Sequence, residues 1–128
     1  MNDPIVFISR NRIKAGMLDE FRKHYHDSIP PIEAGKPGTL AQLAYFNEES
    51  SQVDIVRFFP NPQALDHQIE GADERSKITY QFIEPISVEI YGTPSEVTVE
   101  RMKKISGSGI AVRITPNFIG GFIRPQTG

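Results

Sequence analysis

His24, His26 and His67 are the three histidines of this chain, and histidine is the side chain best placed to exchange protons or hold a metal near neutral pH. His24 and His26 fall two residues apart in a stretch with helical periodicity. Such positions point ~200° apart around the axis, so the pair cannot close on one ion as an i, i+4 pair can, and it reads as two solvated helix residues. No group of histidines and carboxylates has a metal-ligand spacing, and no metal is expected. The chain has no cysteine, which removes thiolate ligands, thiol nucleophiles and disulfides. Gly107-Ser108-Gly109 belongs to no nucleotide-binding glycine pattern and reads as a turn. No Gly-x-Ser-x-Gly element offers a serine nucleophile. What remains is acid–base and hydrogen-bond chemistry. Tyr25, Tyr45, Arg57, Phe59 and Tyr80 are candidate walls of a pocket, and ordinary packing or a surface ion pair is the alternative for these residue types.

Positioning such residues requires strands that feed helices. Ile5 to about Arg12 is predicted as a strand, with Ile5, Phe7, Ser9 and Asn11 on one face and Val6, Ile8, Arg10 and Arg12 on the other. Leu18, Phe21, Tyr25, Ile29 and Ile32 recur at helical spacing and predict a helix from about Met17 to Glu33. Pro30-Pro31 is expected to break or kink it. Thr39 to Phe46 and Gln52 to Phe59 read as an antiparallel hairpin around the polar segment 47–51. Asn61 is a good N-cap and Pro62 a good first helical residue. Gly71 should interrupt that helix, with a further helical stretch from about Asp73 to Phe82 and a fourth strand from Ser87 to Tyr91. Beyond Pro94, a short helix from Ser95 to about Ile105 and a strand from Ile110 to Thr115 precede a glycine- and proline-rich tail expected to be irregular.

At 128 residues, 38% hydrophobic and 23% charged, the chain can bury one core. The expected organisation is a domain over residues 1–94 and an extension over 95–128 packed on that domain or on a partner. A net charge of −2 favours neither nucleic acid nor an anionic membrane. No apolar run approaches the ~20 residues of a membrane span, so a soluble, cytoplasmic protein is expected.

The order β-α-β-β-α-β makes residues Ile5 to Tyr91 resemble the antibiotic biosynthesis monooxygenase-like family of dimeric α/β-barrel proteins. The resemblance is carried by Asn11-Arg12-Ile13 before a Lys14-Ala15-Gly16 turn, by Asp19-Glu20-Phe21 opening the first helix, and by Phe58-Phe59 followed by Pro62-Gln63-Ala64-Leu65-Asp66-His67. It implies an α+β, ferredoxin-like monomer with an antiparallel sheet, paired through its sheet into a homodimer, with a ligand cavity between the sheet and its own helices. It also implies a cofactor-independent monooxygenase acting on a small aromatic or quinol-like substrate, which needs a base, an oxyanion donor and a dry pocket. His67 would be the base and Asn11 the donor; a helix-surface or core-edge histidine and an asparagine bonded to its own turn are the alternative readings. Lys77 stands where the haem-degrading branch would place its axial histidine, so no haem is expected and the resemblance implies no other cofactor; the chain also departs from the family in having no tryptophan, a residue that often lines the cavity of its enzymes. The alternative function is a non-catalytic dimeric module for assembly or for binding a small apolar molecule.

Apolar residues on both faces of the predicted strands support the dimer, because two helices cover only one face of a four-stranded sheet. The extension strand is expected to pair at the sheet edge, in its own subunit or in the partner's, and the apolar residues of 118–123 to cover surface near the dimer interface or the cavity mouth.

Overall fold

The computed structural model describes residues 3–124; the last part of the predicted irregular tail, 125–128, lies outside the described residues. Along the chain run β1 (Ile5–Ile13), α1 (Leu18–Gly35), β2 (Ala41–Asn47), β3 (Gln52–Phe59), α2 (Pro62–Ile69), α3 (Ala72–Thr79), β4 (Ile83–Tyr91), α4 (Glu96–Gly107) and β5 (Ala111–Thr115). The strands form one sheet in the order β2-β3-β1-β4-β5. The first four are antiparallel to their neighbours, as a ferredoxin-like chain requires. β5 instead pairs with β4 in parallel, Ser87 opposite Ala111 and Tyr91 opposite Thr115, so the whole sheet is mixed rather than antiparallel. α4 supplies the crossover that a parallel pair needs.

Alternation along the strands sends Ile5, Phe7, Asn11 and Ile13 of β1, and Val53, Ile55 and Phe59 of β3, toward the helices. Two clusters form there. Ile5, Phe59, Leu65, Val88, Ile90 and Met102 make one, and Ile13, Phe21, Val53, Ile55 and Ile83 the other. Phe59 is therefore fully buried in the core and is not a wall of an open pocket.

Local signals explain the boundaries. Asn61 caps α2 through its side chain, which accepts from the Ala64 amide at 2.8 Å, and Pro62 follows at the first helical position. Ser95 caps α4 in the same way, and its hydroxyl together with that of Thr98 donates to Asp66 Oδ1 at 2.6 and 2.7 Å. That carboxylate ties α2 to the start of α4. Gly92 turns the chain out of β4 at φ +109°, where a Cβ would stand 2.7 Å from the Pro4 carbonyl oxygen.

The expectations for α1 and β4 differ most from the structure, and α3 ends at Thr79 rather than near Phe82. α1 continues through Pro30-Pro31 to Gly35. The two missing amide donors would have served the carbonyls of His26 and Asp27, and all four residues are exposed, so water can replace the lost bonds. β4 begins at Ile83, four residues earlier than expected, and carries Pro85 inside it. Proline is tolerated there because β5 pairs only with 87–91, leaving the outer edge of Pro85 without a strand partner, and because the β1 register shifts at this point.

The face away from the helices has no covering element among the described residues. It presents Val6, Ile8, Val56 and Phe58 together with exposed Leu43 and Tyr45. Beside them, Arg10 bridges Asp54 at 2.7 Å and Glu89 at 3.0 Å, and Tyr91 donates to Glu89 at 2.7 Å. Phe118, Ile119, Phe122 and Ile123 stay exposed. Among the described residues no helix is long and apolar enough to cross a membrane.

Candidate functional site

A cavity of about 310 Å³ lies between the sheet and the helices, walled by β1 to β4, α1 to α4 and Ile110 just before β5. Its floor is the helix-facing side of the sheet, with Phe7, Ser9 and Asn11 from β1, Gln42 from β2, and Ile55 and Arg57 from β3. Phe21, His24, Tyr25 and Ser28 of α1 form one wall. Arg75, Thr79 and Tyr80 form another, and Met102 and Ile105 of α4 close the far end. The extension is therefore part of the cavity and not an ornament on its outside. α3 contributes to the wall while burying none of its own residues.

Asn11 is 4% exposed and lines the cavity. Its side-chain amide has one long contact, 3.4 Å to the Ser9 carbonyl, so one N–H remains for a ligand. Arg57 Nε donates to Gln42 Oε1 at 2.9 Å, and the Gln42 amide is in turn 3.5 Å from the Tyr25 hydroxyl. Burial brings the Arg57 pKa down to about 10, so it keeps its charge at neutral pH. Asn11, Tyr25, Arg57 and Tyr80 thus meet around one space.

Three of the sequence-based site residues fall elsewhere. His67 is exposed on α2 and does not line the cavity; the backbone carbonyl of the same residue accepts from Lys36 Nζ. Helical phase explains it, since Leu65 and Ile69 face inward and His67 falls halfway between them, ~200° from Leu65. Tyr45 lies on the uncovered face of the sheet, because β2 alternates and Gln42, Ala44 and Phe46 take the inner positions. Phe59 is packed in the core, as described above.

The histidine that reaches the cavity is His24, expected from its spacing to be solvated. Its three-residue offset from buried Phe21 was the available signal, since i and i+3 share a helix face. His24 Nε2 lies 2.8 Å from Thr79 Oγ1, and that hydroxyl gives its single proton to the Arg75 carbonyl at 3.1 Å. With the Thr79 proton on that carbonyl, Thr79 accepts from His24, so that Nε2 carries the imidazole proton and Nδ1 the lone pair. Phe82 packs beside the ring at 5.4 Å. His26 is exposed, as expected. No group of three or more histidine, aspartate or glutamate side chains able to hold a metal occurs among the described residues.

No family model and no curated protein sequence matches this chain. Solved structures do. MupZ from Pseudomonas fluorescens is 17% identical over 97% of both chains, with a TM-score of 0.75. A provisionally assigned antibiotic biosynthesis monooxygenase from Caulobacter crescentus is 16% identical over 70% of this chain and 88% of its own, at 0.62. SnoaB, a cofactor-independent oxygenase from Streptomyces nogalater, is 11% identical over 73% of this chain and 95% of its own, at 0.59. The structural neighbours are antibiotic biosynthesis monooxygenase-like proteins, and at these identities the likeness establishes the fold.

Proposed function

We propose that the cavity binds a small, mainly apolar molecule and that the protein is a cofactor-independent monooxygenase acting on an aromatic or quinol-like substrate. The observation that carries the reading is the meeting of a free imidazole nitrogen and a buried amide donor in one apolar space. His24 Nδ1 is suited to take a proton from an activated C–H or O–H group, and Asn11 Nδ2 to donate to the oxyanion that forms. The electron-rich anion can then reduce dioxygen directly, with no metal or flavin. Phe7, Phe21, Ile55, Met102 and Ile105 keep that anion away from bulk water. The shared fold of SnoaB, itself a cofactor-independent oxygenase, supports the same reading.

A second reading, a non-catalytic small-molecule-binding module, is favoured by one observation. The cavity holds no aspartate or glutamate among its lining residues, so His24 has no carboxylate to stabilise its protonated form. Oxygen uptake with a panel of quinols separates the two. For an oxygenase, His24→Ala lowers turnover by roughly 10²–10⁴-fold, the usual scale for a general base, and Asn11→Ala by roughly 10²–10³-fold, that of an oxyanion donor. No oxygen uptake by the unaltered protein with any of these compounds overturns the catalytic reading, and unchanged turnover in His24→Ala removes that residue from it.

The same proposal includes a homodimer formed through the uncovered sheet face. Val6, Ile8, Val56, Phe58 and Leu43 form an apolar field there, bordered by the Arg10–Asp54–Glu89 network. Light scattering at micromolar concentration is expected to give twice the monomer mass, and a monomer would refute this part.

A further inference from the structure

Three arginines and no carboxylate line the cavity among the described residues. Two of the three already have partners. Arg75 donates from Nη1 to the Glu70 carbonyl at 2.9 Å and from Nη2 to the Gln68 carbonyl, so its charge sits on the C-terminal end of α2, where the helix dipole is negative. Arg101 pairs with Asp73 at 2.6 Å.

Arg57 differs from both. Its Nε is held by Gln42, and its Cζ lies 5.9 Å from the centre of the Phe7 ring. Neither terminal nitrogen makes a hydrogen bond among the described residues. No buried side-chain nitrogen or oxygen lacks a partner, so these two nitrogens are reached from the cavity space. Burial lowers the pKa of this group; the Tyr25 and Tyr80 hydroxyls act against that, and the nearby charge of Arg75 acts with it. A guanidinium placed among apolar groups is costly unless an anion meets it. No aspartate or glutamate stands in the walls to supply that anion.

We propose that the ligand is a small monocarboxylic acid whose carboxylate seats on the two terminal nitrogens of Arg57, with its apolar body against Phe21, Met102 and Ile105. The Gln42 bond occupies the Nε side of the guanidinium and leaves the end-on fork, whose two parallel N–H groups match the two oxygens of one carboxylate. The cavity, at about 310 Å³, lies at the small end of the ~300–1,000 Å³ range of ligand pockets, which selects a single ring or a short chain. The proposal rests on the cavity being a ligand site and adds the chemical class of the ligand.

Calorimetric titration of the full chain with benzoate, phenylacetate and hexanoate, each against its primary amide, tests it. At least one acid is expected to bind about 10–100-fold more tightly than its amide, the range for a hydrogen-bonded charge. Arg57→Leu should abolish that preference, and Arg57→Lys, which keeps the charge without the fork, should retain part of it. Should Arg57→Leu not fold, the acid-to-amide ratios of the unaltered protein and of Arg57→Lys decide. Amides that bind as well as the acids, or no acid binding at millimolar concentration, overturn the proposal. Binding is read without turnover, so an acid that binds while no quinol consumes oxygen supports this inference and refutes the oxygenase. Quinol oxidation with no acid-to-amide preference does the reverse.

Discussion

Replacing Asp66 with alanine is expected to cost about 2–4 kcal/mol of folding stability. Asp66 Oδ1 accepts from Ser95 Oγ at 2.6 Å and from Thr98 Oγ1 at 2.7 Å, while Ser95 Oγ also caps the Thr98 amide. A hydrogen bond to a charged group contributes about 1.5–3 kcal/mol, and stranding a buried hydroxyl costs about 1–3 kcal/mol. Ser95 is partly exposed and can turn to water, but Thr98 is 1% exposed and cannot. The Thr98 hydroxyl therefore dominates. For a domain of this size, 1 kcal/mol moves the melting temperature by roughly 3–5 °C, so Asp66→Ala should melt about 10 °C lower. Thr98→Val alone should cost only about 1 kcal/mol, because Asp66 keeps Ser95 and some water. In the double variant no hydroxyl is stranded, and its loss should fall short of the sum of the singles by about 1 kcal/mol or more. Thermal and urea denaturation followed by circular dichroism read all four proteins. An Asp66→Ala loss below about 1 kcal/mol, or strictly additive singles, would refute the reasoning.

Glu89 accepts from Tyr91 and Arg10, and these two bonds hold its carboxyl pKa below the usual range. Its contribution to stability is complete above the unfolded value near ~4.3 and is lost as pH falls through the lower folded value. Glu89→Gln should therefore flatten the acid limb of a urea-midpoint curve against pH, and parallel limbs for the two proteins would contradict it. Truncation after Pro94 removes α4 and β5, and with them the buried Met102 and Thr98. Loss of one such core side chain costs ~2–5 kcal/mol, against a typical total of ~5–15 kcal/mol, so the shortened chain should show no cooperative unfolding. An unchanged melting temperature would contradict this.

Strand and helix order was legible wherever a local signal stood alone. Asn61-Pro62 marks the start of α2 because capping and a fixed proline φ both act within one turn. Pro30-Pro31 and Pro85 misled for one reason. A proline costs a backbone donor, and whether that donor is missed depends on water or a neighbouring strand, which the local sequence does not encode. β5 was readable as a strand, but its parallel pairing depends on where α4 delivers it. The site was half legible. Asn11, Tyr25 and Arg57 follow from strand alternation and the α1 stripe, whereas Tyr45 and His67 carry suitable chemistry at the wrong phase of their own elements. His24 was passed over because the argument about a shared metal ion, correct in itself, did not ask which member of the pair faces the sheet.

β1 leaves the ribosome before the other strands of its sheet, yet it lies in the middle of that sheet, between β3 and β4. A hairpin such as β2–β3 can close in ~1–10 µs once its residues emerge. The second edge of β1 must wait for Tyr91, and at ~5–20 residues per second the roughly eighty intervening residues take about 4–16 s. Through that interval Ile5, Phe7 and an unsatisfied row of backbone groups stand open beside the half-built sheet. Translation speed and chaperone access therefore bear on the yield of this protein, and slowing synthesis before Ile83 lengthens the period in which a neighbouring nascent chain can take the place of β4.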